Sequence, residues 1–355
     1  MQDGDKIINY LADEESKFIY QKKKEYNEAE TGDFAAIGEI VERYLPQLVD
    51  AENKVLDLLL NREKIIIFGA GAFGIRALKF LMTHNKSVNS FIDSNSDKWG
   101  KSVKGIEIKS PQQIDYNEFD AIIVSPGEHF MVDQIHEFLK KQKFREDTII
   151  IDYKDYCCIE LEQEQYFDPD IIKYQENEVF VDAGVLDLGT SIRFIEECEK
   201  NNIKNFKILA FEPDYASYQK CLDIQKKYSG YSFQLYNLGL WSESATLYFD
   251  EGKGASSQIT QKETATSIKT DSLDNCVSEK VTFIKMDIEG AELEALKGSK
   301  EIIKKYRPKL AICIYHKKED LIEIPQFIKD LVPEYKLYIR HYSNTNAQTV
   351  LYAVL

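Results

Sequence analysis

The residues best suited to chemistry cluster in one run, Phe283-Ile-Lys-Met-Asp287-Ile-Glu289-Gly290-Ala-Glu292. Its apolar start predicts a strand. Leu293, Leu296, Ile302 and Ile303 supply the apolar face of the helix that follows. Carboxylates at the carboxyl end of a central strand stand where open α/β sheets bind ligands. Gly290 permits a turn that a side chain would obstruct. Acids also favour a helix N-terminus through the dipole, which accounts for Glu292 well and for Asp287 poorly. Asp287 and Glu289 are therefore candidates to take a proton from an acceptor. His316 and His341 are two more, each ending a later strand on the same sheet edge. A near-neutral imidazole suits base catalysis, although either ring could equally be a structural, hydrogen-bonded one. A divalent ion could bind Asp287 and Glu289, but two acids at this spacing do not define a metal site, and none is assigned.

Two further constellations can hold ligands. Val179-Phe-Val-Asp182-Ala-Gly184 ends a strand in an acid and a glycine, and Asp187, Gly189 and a helix follow. The next strand ends in Ala210-Phe-Glu212-Pro-Asp214, where an acid can accept from both hydroxyls of a ribose. Earlier in the chain, Gly69-x-Gly71-x-x-Gly74 follows the apolar run Ile65-Ile-Ile-Phe68 and opens a helix. That is the order the dinucleotide fingerprint requires, and Asp93 lies 22 residues after Gly71, near the expected ribose acid. Ser125-Pro-Gly-Glu-His129 could complete such a pocket. Tyr20-x-x-x-Lys24 has a dehydrogenase spacing but precedes the glycine loop, so it is read as chance.

These residues need a scaffold, and strand–helix alternation provides it twice. The fold class is α/β, with two Rossmann-like domains in tandem behind a short helical segment. Residues 1–61 read as helices, with a cap or oligomerisation arm as their default role. Residues 62–153 read as a small parallel sheet covered by helices, 154–178 as a linker, and 179–355 as a complete α/β domain.

The stretch from 179 to 355 resembles the FkbM-type S-adenosylmethionine-dependent methyltransferases. The motifs that carry the likeness are Val-Asp182-Ala-Gly184, Phe-Glu212-Pro-Asp, Asn237-Leu-Gly-Leu-Trp241, Ser272-Leu-Asp274, Lys285-Met-Asp287-Ile-Glu289-Gly-Ala-Glu292, Tyr315-His316 and Tyr338-Ile-Arg340-His341. The resemblance implies a seven-strand Rossmann-like sheet with an antiparallel last strand. It also implies O-methylation, often of sugars or secondary metabolites. It puts Asp182 and Gly184 beside the methionine and ribose of the cofactor, with Asp187 and Gly189 in the same loop. Glu212 falls on the ribose hydroxyls, Asn237 and Leu238 near the adenine, and Asp287 and Glu289 near the transferred methyl. The family usually has a glycine where Leu188 stands. Residues 62–153 resemble small domains of sugar-modifying proteins that bind nucleotide-sugars, which implies a second nucleotide site at Gly69, Gly71, Gly74 and Asp93.

Composition narrows the partners. The 355 residues carry 45 basic and 60 acidic side chains, a net charge of −15. That balance argues against nonspecific nucleic-acid binding and against an anionic membrane surface. No run approaches the ~20 apolar residues of a spanning helix, and six cysteines without metal spacing suit a reducing cytoplasm. The expected partner is a small-molecule or glycan acceptor, with nucleotide-sugars among the candidates and a homo-oligomer left open. Two rival readings stand beside methyl transfer. One is an NAD(P)-dependent oxidoreductase or epimerase acting through the Gly69 loop. The other is a non-catalytic scaffold.

Overall fold

The computed structural model describes residues 3–29, 34–126, 129–153, 161, 164–249, 259–260 and 266–355. Gly127, Glu128, Cys157 and Cys158 lie outside the described residues. The chain divides into two compact units, 41–160 and 1–40 with 161–355.

The smaller unit holds one six-stranded sheet. Its strands are β1 (Ile65–Phe68), β2 (Val88–Ile92), β3 (Ser102–Val103), β4 (Ile106–Lys109), β5 (Ala121–Val124) and β6 (Ile149–Asp152). Their order is β3-β4-β2-β1-β5-β6. All pairs are parallel except β3 with β4, so the sheet is mixed where the sequence predicted a purely parallel one. β1 and β5 are buried along their whole length, which explains why they are unbroken apolar runs. The chain leaves β1 towards β2 on one side, and β5 lies on the other, so a topological switch point sits between them.

The larger unit holds β7 (Asn177–Ala183), β8 (Asn205–Phe211), β9 (Ser232–Tyr236), β14 (Phe283–Met286), β15 (Lys309–Cys313), β16 (Lys336–His341) and β17 (Thr349–Val354). Their order is β16-β17-β15-β14-β7-β8-β9, with β17 antiparallel to both neighbours. The expected seven-strand sheet is present. The short runs β10 (Gly239–Leu240), β11 (Ala245–Phe249), β12 (Ile259–Thr260) and β13 (Thr266–Asp271) form a separate four-stranded sheet. An aromatic cluster packs one face of the large sheet. Phe180 stacks on Phe194 with ring centroids 4.4 Å apart, and Phe167 and Phe283 meet the pair edge-on or tilted.

The terminal segments depart from the sequence boundaries. The helices Asp3–Tyr10 and Glu14–Glu28 belong to the larger unit rather than to a separate helical segment. They cover β16, the sheet's edge. Ala12 N donates to Leu337 O (2.8 Å) and Ile339 N to Ser16 Oγ (2.9 Å). Arg340 reaches Asp13 at 2.7 Å. An open edge strand invites pairing with another chain, and this cover satisfies its backbone. Residues 161–178 are no linker either. Tyr166, Phe167, Ile171 and Ile172 are buried in the core of the same unit, because their apolar side chains complete the aromatic cluster.

Candidate active site

The carboxyl ends of β7, β8, β14 and β15 are neighbours in the sheet, and they converge the predicted residues. Asp182, the last residue but one of β7, is fully buried. Its Oδ1 lies 3.0 Å from Lys285 Nζ, and its Oδ2 accepts from Ser191 Oγ at 2.7 Å. Lys285 is itself buried and donates to the carbonyls of Ala183 (3.1 Å) and Gly184 (2.8 Å). Burial works against its charge, yet Asp182 and Asp287 beside it raise its pKa above the usual lysine value. Gly184 has φ +79°, and a Cβ there would come within 1.9 Å of the Asp287 carbonyl oxygen. The two strand ends are therefore in contact at the only residue type that fits.

The loop after Gly184 leads into the helix Gly189–Lys200. Leu188 caps that helix at φ +64°, a left-handed conformation that explains why a glycine is usual at this position. Its side chain is fully buried, so core packing offsets the strain. Asp187 Oδ1 accepts from Gly189 N at 2.9 Å, which makes Asp187 a loop-forming residue. Glu212, at the end of β8, accepts one backbone N–H on each oxygen, from Leu186 (2.9 Å) and from Asp214 (2.9 Å). Burial raises its pKa against those two bonds. Asn237 donates to the carbonyls of Glu212 (2.9 Å) and Pro213 (3.1 Å), and so ties the end of β9 to that of β8; Leu238 adjoins it.

Asp287 is anchored by two phenols. Tyr166 OH donates to Oδ2 at 2.7 Å and Tyr315 OH to Oδ1 at 3.2 Å. Burial pushes the Asp287 pKa up, but Lys285, His316 and the Tyr166 hydroxyl prevail and hold it below the usual carboxylate value. His316 stands among three acids. Its Nε2 is 3.5 Å from Asp287 and 3.6 Å from Glu289, and its Nδ1 is 2.9 Å from Glu292. Burial disfavours the charged ring, yet Glu292, Asp287 and Glu289 push its pKa up to about 9. Glu289 is the most open of the three acids, with 53% of its side chain exposed, and burial with the neighbouring acids raises its pKa. It sits at φ +56°, next to Gly290 at φ +91°.

His341 does not join this group. It lies at the far end of the sheet on β16, fully buried, with Nδ1 2.8 Å from Thr349 Oγ1. Burial, with Lys23 nearby, pushes its pKa down to about 3. The sequence placed it on the right edge of the sheet, but two strands separate β16 from β14 on the way to Asp287. A pH prediction follows from its burial. The unfolded ring binds a proton near pH 6.5 and the folded one only near 3. The unfolded state therefore binds more protons between those values, and stability present above pH 6.5 is lost as pH falls towards 3. His341→Gln should flatten that part of the stability–pH curve measured by denaturant titration. An unchanged slope between pH 6.5 and 4 would refute this.

Four contributors escaped the sequence reading of roles: Tyr166, Tyr315, Lys285 and Glu292. Lys285 carried a readable signal, a lone charge inside an otherwise apolar strand. Tyr166 carried none, since only the fold brings it to Asp287 across 121 positions.

The smaller unit has a cleft of about 610 Å³ at its switch point, lined by Gly69, Gly71, Asp93, Lys98, Trp99 and Ser125 among others. Gly74 packs against the loop, since a Cβ there would come 1.9 Å from Gly69 O. A Cβ on Gly71 would meet nothing within 4 Å. Asp93 accepts from Ala70 N (2.7 Å), Asn95 N (2.8 Å) and Lys98 Nζ (2.9 Å). Asp93 thus ties the glycine loop to the segment that follows β2.

Comparison with known proteins gives this geometry a family. The methyltransferase FkbM domain model matches residues 182–336. This chain carries an FkbM methyltransferase domain. A second model, C2185-like, N-terminal, matches residues 61–150. The crystal structure of methyltransferase FkbM from Methylobacillus flagellatus is 18% identical, with TM-score 0.51, and covers 91% of this chain and 100% of its own. An rRNA methylase from Streptococcus thermophilus is 14% identical with TM-score 0.33, covering 50% of this chain and 86% of its own. Aeropyrum pernix fibrillarin with natively bound S-adenosyl-L-methionine is 11% identical with TM-score 0.32, covering 52% and 70%. No curated protein matches the chain significantly. The match identifies residues 182–336 as a methyltransferase domain of the FkbM type. No helix among the described residues is long and apolar enough to cross a membrane.

Proposed function

We propose that the FkbM domain methylates a hydroxyl of a sugar or related small acceptor, using the carboxyl edge of β7, β8, β14 and β15. The observation that carries this reading is the convergence of Gly184, Glu212 and the Asp287–His316–Glu289 group on that edge. The residues fit the cofactor. Each Glu212 oxygen accepts one backbone N–H and keeps a further lone pair, enough for the two hydroxyls of a ribose. Gly184 leaves its loop without a side chain, and the acids near His316 favour a cationic sulfonium. When bound, S-adenosylmethionine supplies an electrophilic methyl group. The chain's own residues then align the acceptor and take its proton. Asp287, held by Tyr166 and Tyr315, is a fixed negative charge and orienting acceptor. Glu289, open to solvent beside it, is the group placed to receive the hydroxyl proton. His316 holds Asp287 and Glu289 in register rather than serving as the base.

The cleft beside Gly71 supports a nucleotide-type ligand in the smaller unit. Asp93 accepts three bonds and keeps a single lone pair where Glu212 keeps one on each oxygen, so it is the poorer ribose acceptor, which speaks against the NAD(P) reading. Calorimetry tests the whole. S-adenosylmethionine should bind the protein saturably, and Glu212→Ala should weaken it at least tenfold, roughly the loss of one or two good hydrogen bonds. Nucleotide-sugars titrated in the same experiment report on the acceptor. Absence of S-adenosylmethionine binding by the unmutated protein would overturn the proposal.

A further inference from the structure

Three potential ligands of the site stand close together. His316 Nδ1 and Glu292 Oε1 are 2.9 Å apart, with Glu292 raising the imidazole pKa. Glu292 is fully buried, accepts Ile288 N on Oε1 at 2.9 Å, and leaves Oε2 buried without a partner. Asp287 completes the set, with one ligand atom from each of the three residues lying within 4.8 Å of the others. Cation–donor bonds of about 2.1 Å at right angles put neighbouring donors about 3.0 Å apart, and opposite ones about 4.2 Å. The Nδ1–Oε1 separation matches the first figure, and the outer limit needs only a few tenths of an ångström of closure. Charge points the same way. Three acids surround one imidazole, and the buried ammonium of Lys285 is already paired with Asp182.

We propose that Asp287, Glu292 and His316 form a divalent cation site on the acceptor side of the methyl-transfer centre. Two carboxylates and one imidazole suit Mn2+ best and leave positions open for water or an acceptor hydroxyl. A hydroxyl bound there releases its proton more readily, because the cation stabilises the alkoxide. This role rests on the methyltransferase reading, but the site itself does not.

The test uses the full chain stripped with EDTA. Titrating Mn2+ while following the free-ion electron paramagnetic resonance signal should show one saturable site per chain. Glu292→Gln and, independently, His316→Gln should each weaken it at least tenfold. Circular dichroism checks that the variants fold, and the unmutated titration stands whatever they do. No saturable Mn2+ site in the unmutated chain overturns the proposal, as does unchanged affinity in a folded Glu292→Gln. Because S-adenosylmethionine binding is measured separately, a negative result here leaves the methyltransferase reading intact. Equally, a metal site without cofactor binding would fail that reading and not this one.

Discussion

Lys285→Met is expected to destabilise the FkbM unit by roughly 3–5 kcal/mol, the usual penalty for stripping one partner from a buried ion pair. Asp182 has no exposure, and its other hydrogen bond, from Ser191, is neutral. Without the ammonium it is a buried charge with no counterion. The loss is also architectural, because Nζ ties the Ala183 and Gly184 carbonyls into the turn that leads to the Asp187–Gly189 loop. For a unit of this size, about 2–4 °C of melting temperature accompanies each kcal/mol. The calorimetric transition of the unit should therefore fall by about 10 °C, and S-adenosylmethionine affinity should fall with it. The double change Asp182→Asn with Lys285→Met should recover much of the stability, since an amide no longer needs a counterion. A single variant as stable as the parent would refute the argument.

Gly184→Ala should be at least as damaging, through sterics rather than charge. The left-handed φ already disfavours any side chain. The larger obstacle is that the new Cβ would overlap backbone, the Asp287 carbonyl at 1.9 Å, and crowd Ile288 Cγ2 at 3.1 Å. Asp287 N bonds Ala183 O at 3.2 Å, so the two strand ends cannot separate without giving up a sheet bond. The expected outcome is displacement of Asp287 from Tyr166 and Tyr315, a loss of several kcal/mol of stability, and at least a hundredfold loss of methyl transfer. Serine at this position should behave like alanine. Retained activity in a folded Gly184→Ala would show that the strand ends are not tightly coupled.

Much of this arrangement was legible in the chain, for reasons that can be named. Apolar runs closed by an acid marked β7, β8 and β14, with a glycine close behind the acid in β7 and β14, because a buried parallel strand must be apolar and a ligand-side turn must leave room. Periodicity fails where a segment's fate depends on distant partners. Tyr166 and Phe167 sit among many acids and read as a connector, yet their burial depends on the aromatic cluster built by Phe180, Phe194 and Phe283. His316 and His341 look alike in sequence, each ending a strand on one edge. Strand order separates them: β15 adjoins β14, while β16 lies beyond β17. Glu292 illustrates a third cause. Its place three residues after Glu289 suits a solvent-facing helix start, and only the return of the chain after β15 seals it under His316.

The helices that cover β16 give the protein a particular order of construction. Leu11 bridges to Leu337, and Lys23 donates to Asn346 at 2.6 Å, so these helices find their partners 323 positions or more further along the chain. Residues 41–160 contain every strand of the six-stranded sheet, so that sheet needs no strand from the rest of the chain. The FkbM unit, interrupted by them, must wait for β16 and β17 before its opening helices have anywhere to dock. During that interval the buried faces of those helices, Ile7, Ile19 and Tyr20, stand exposed on the nascent chain.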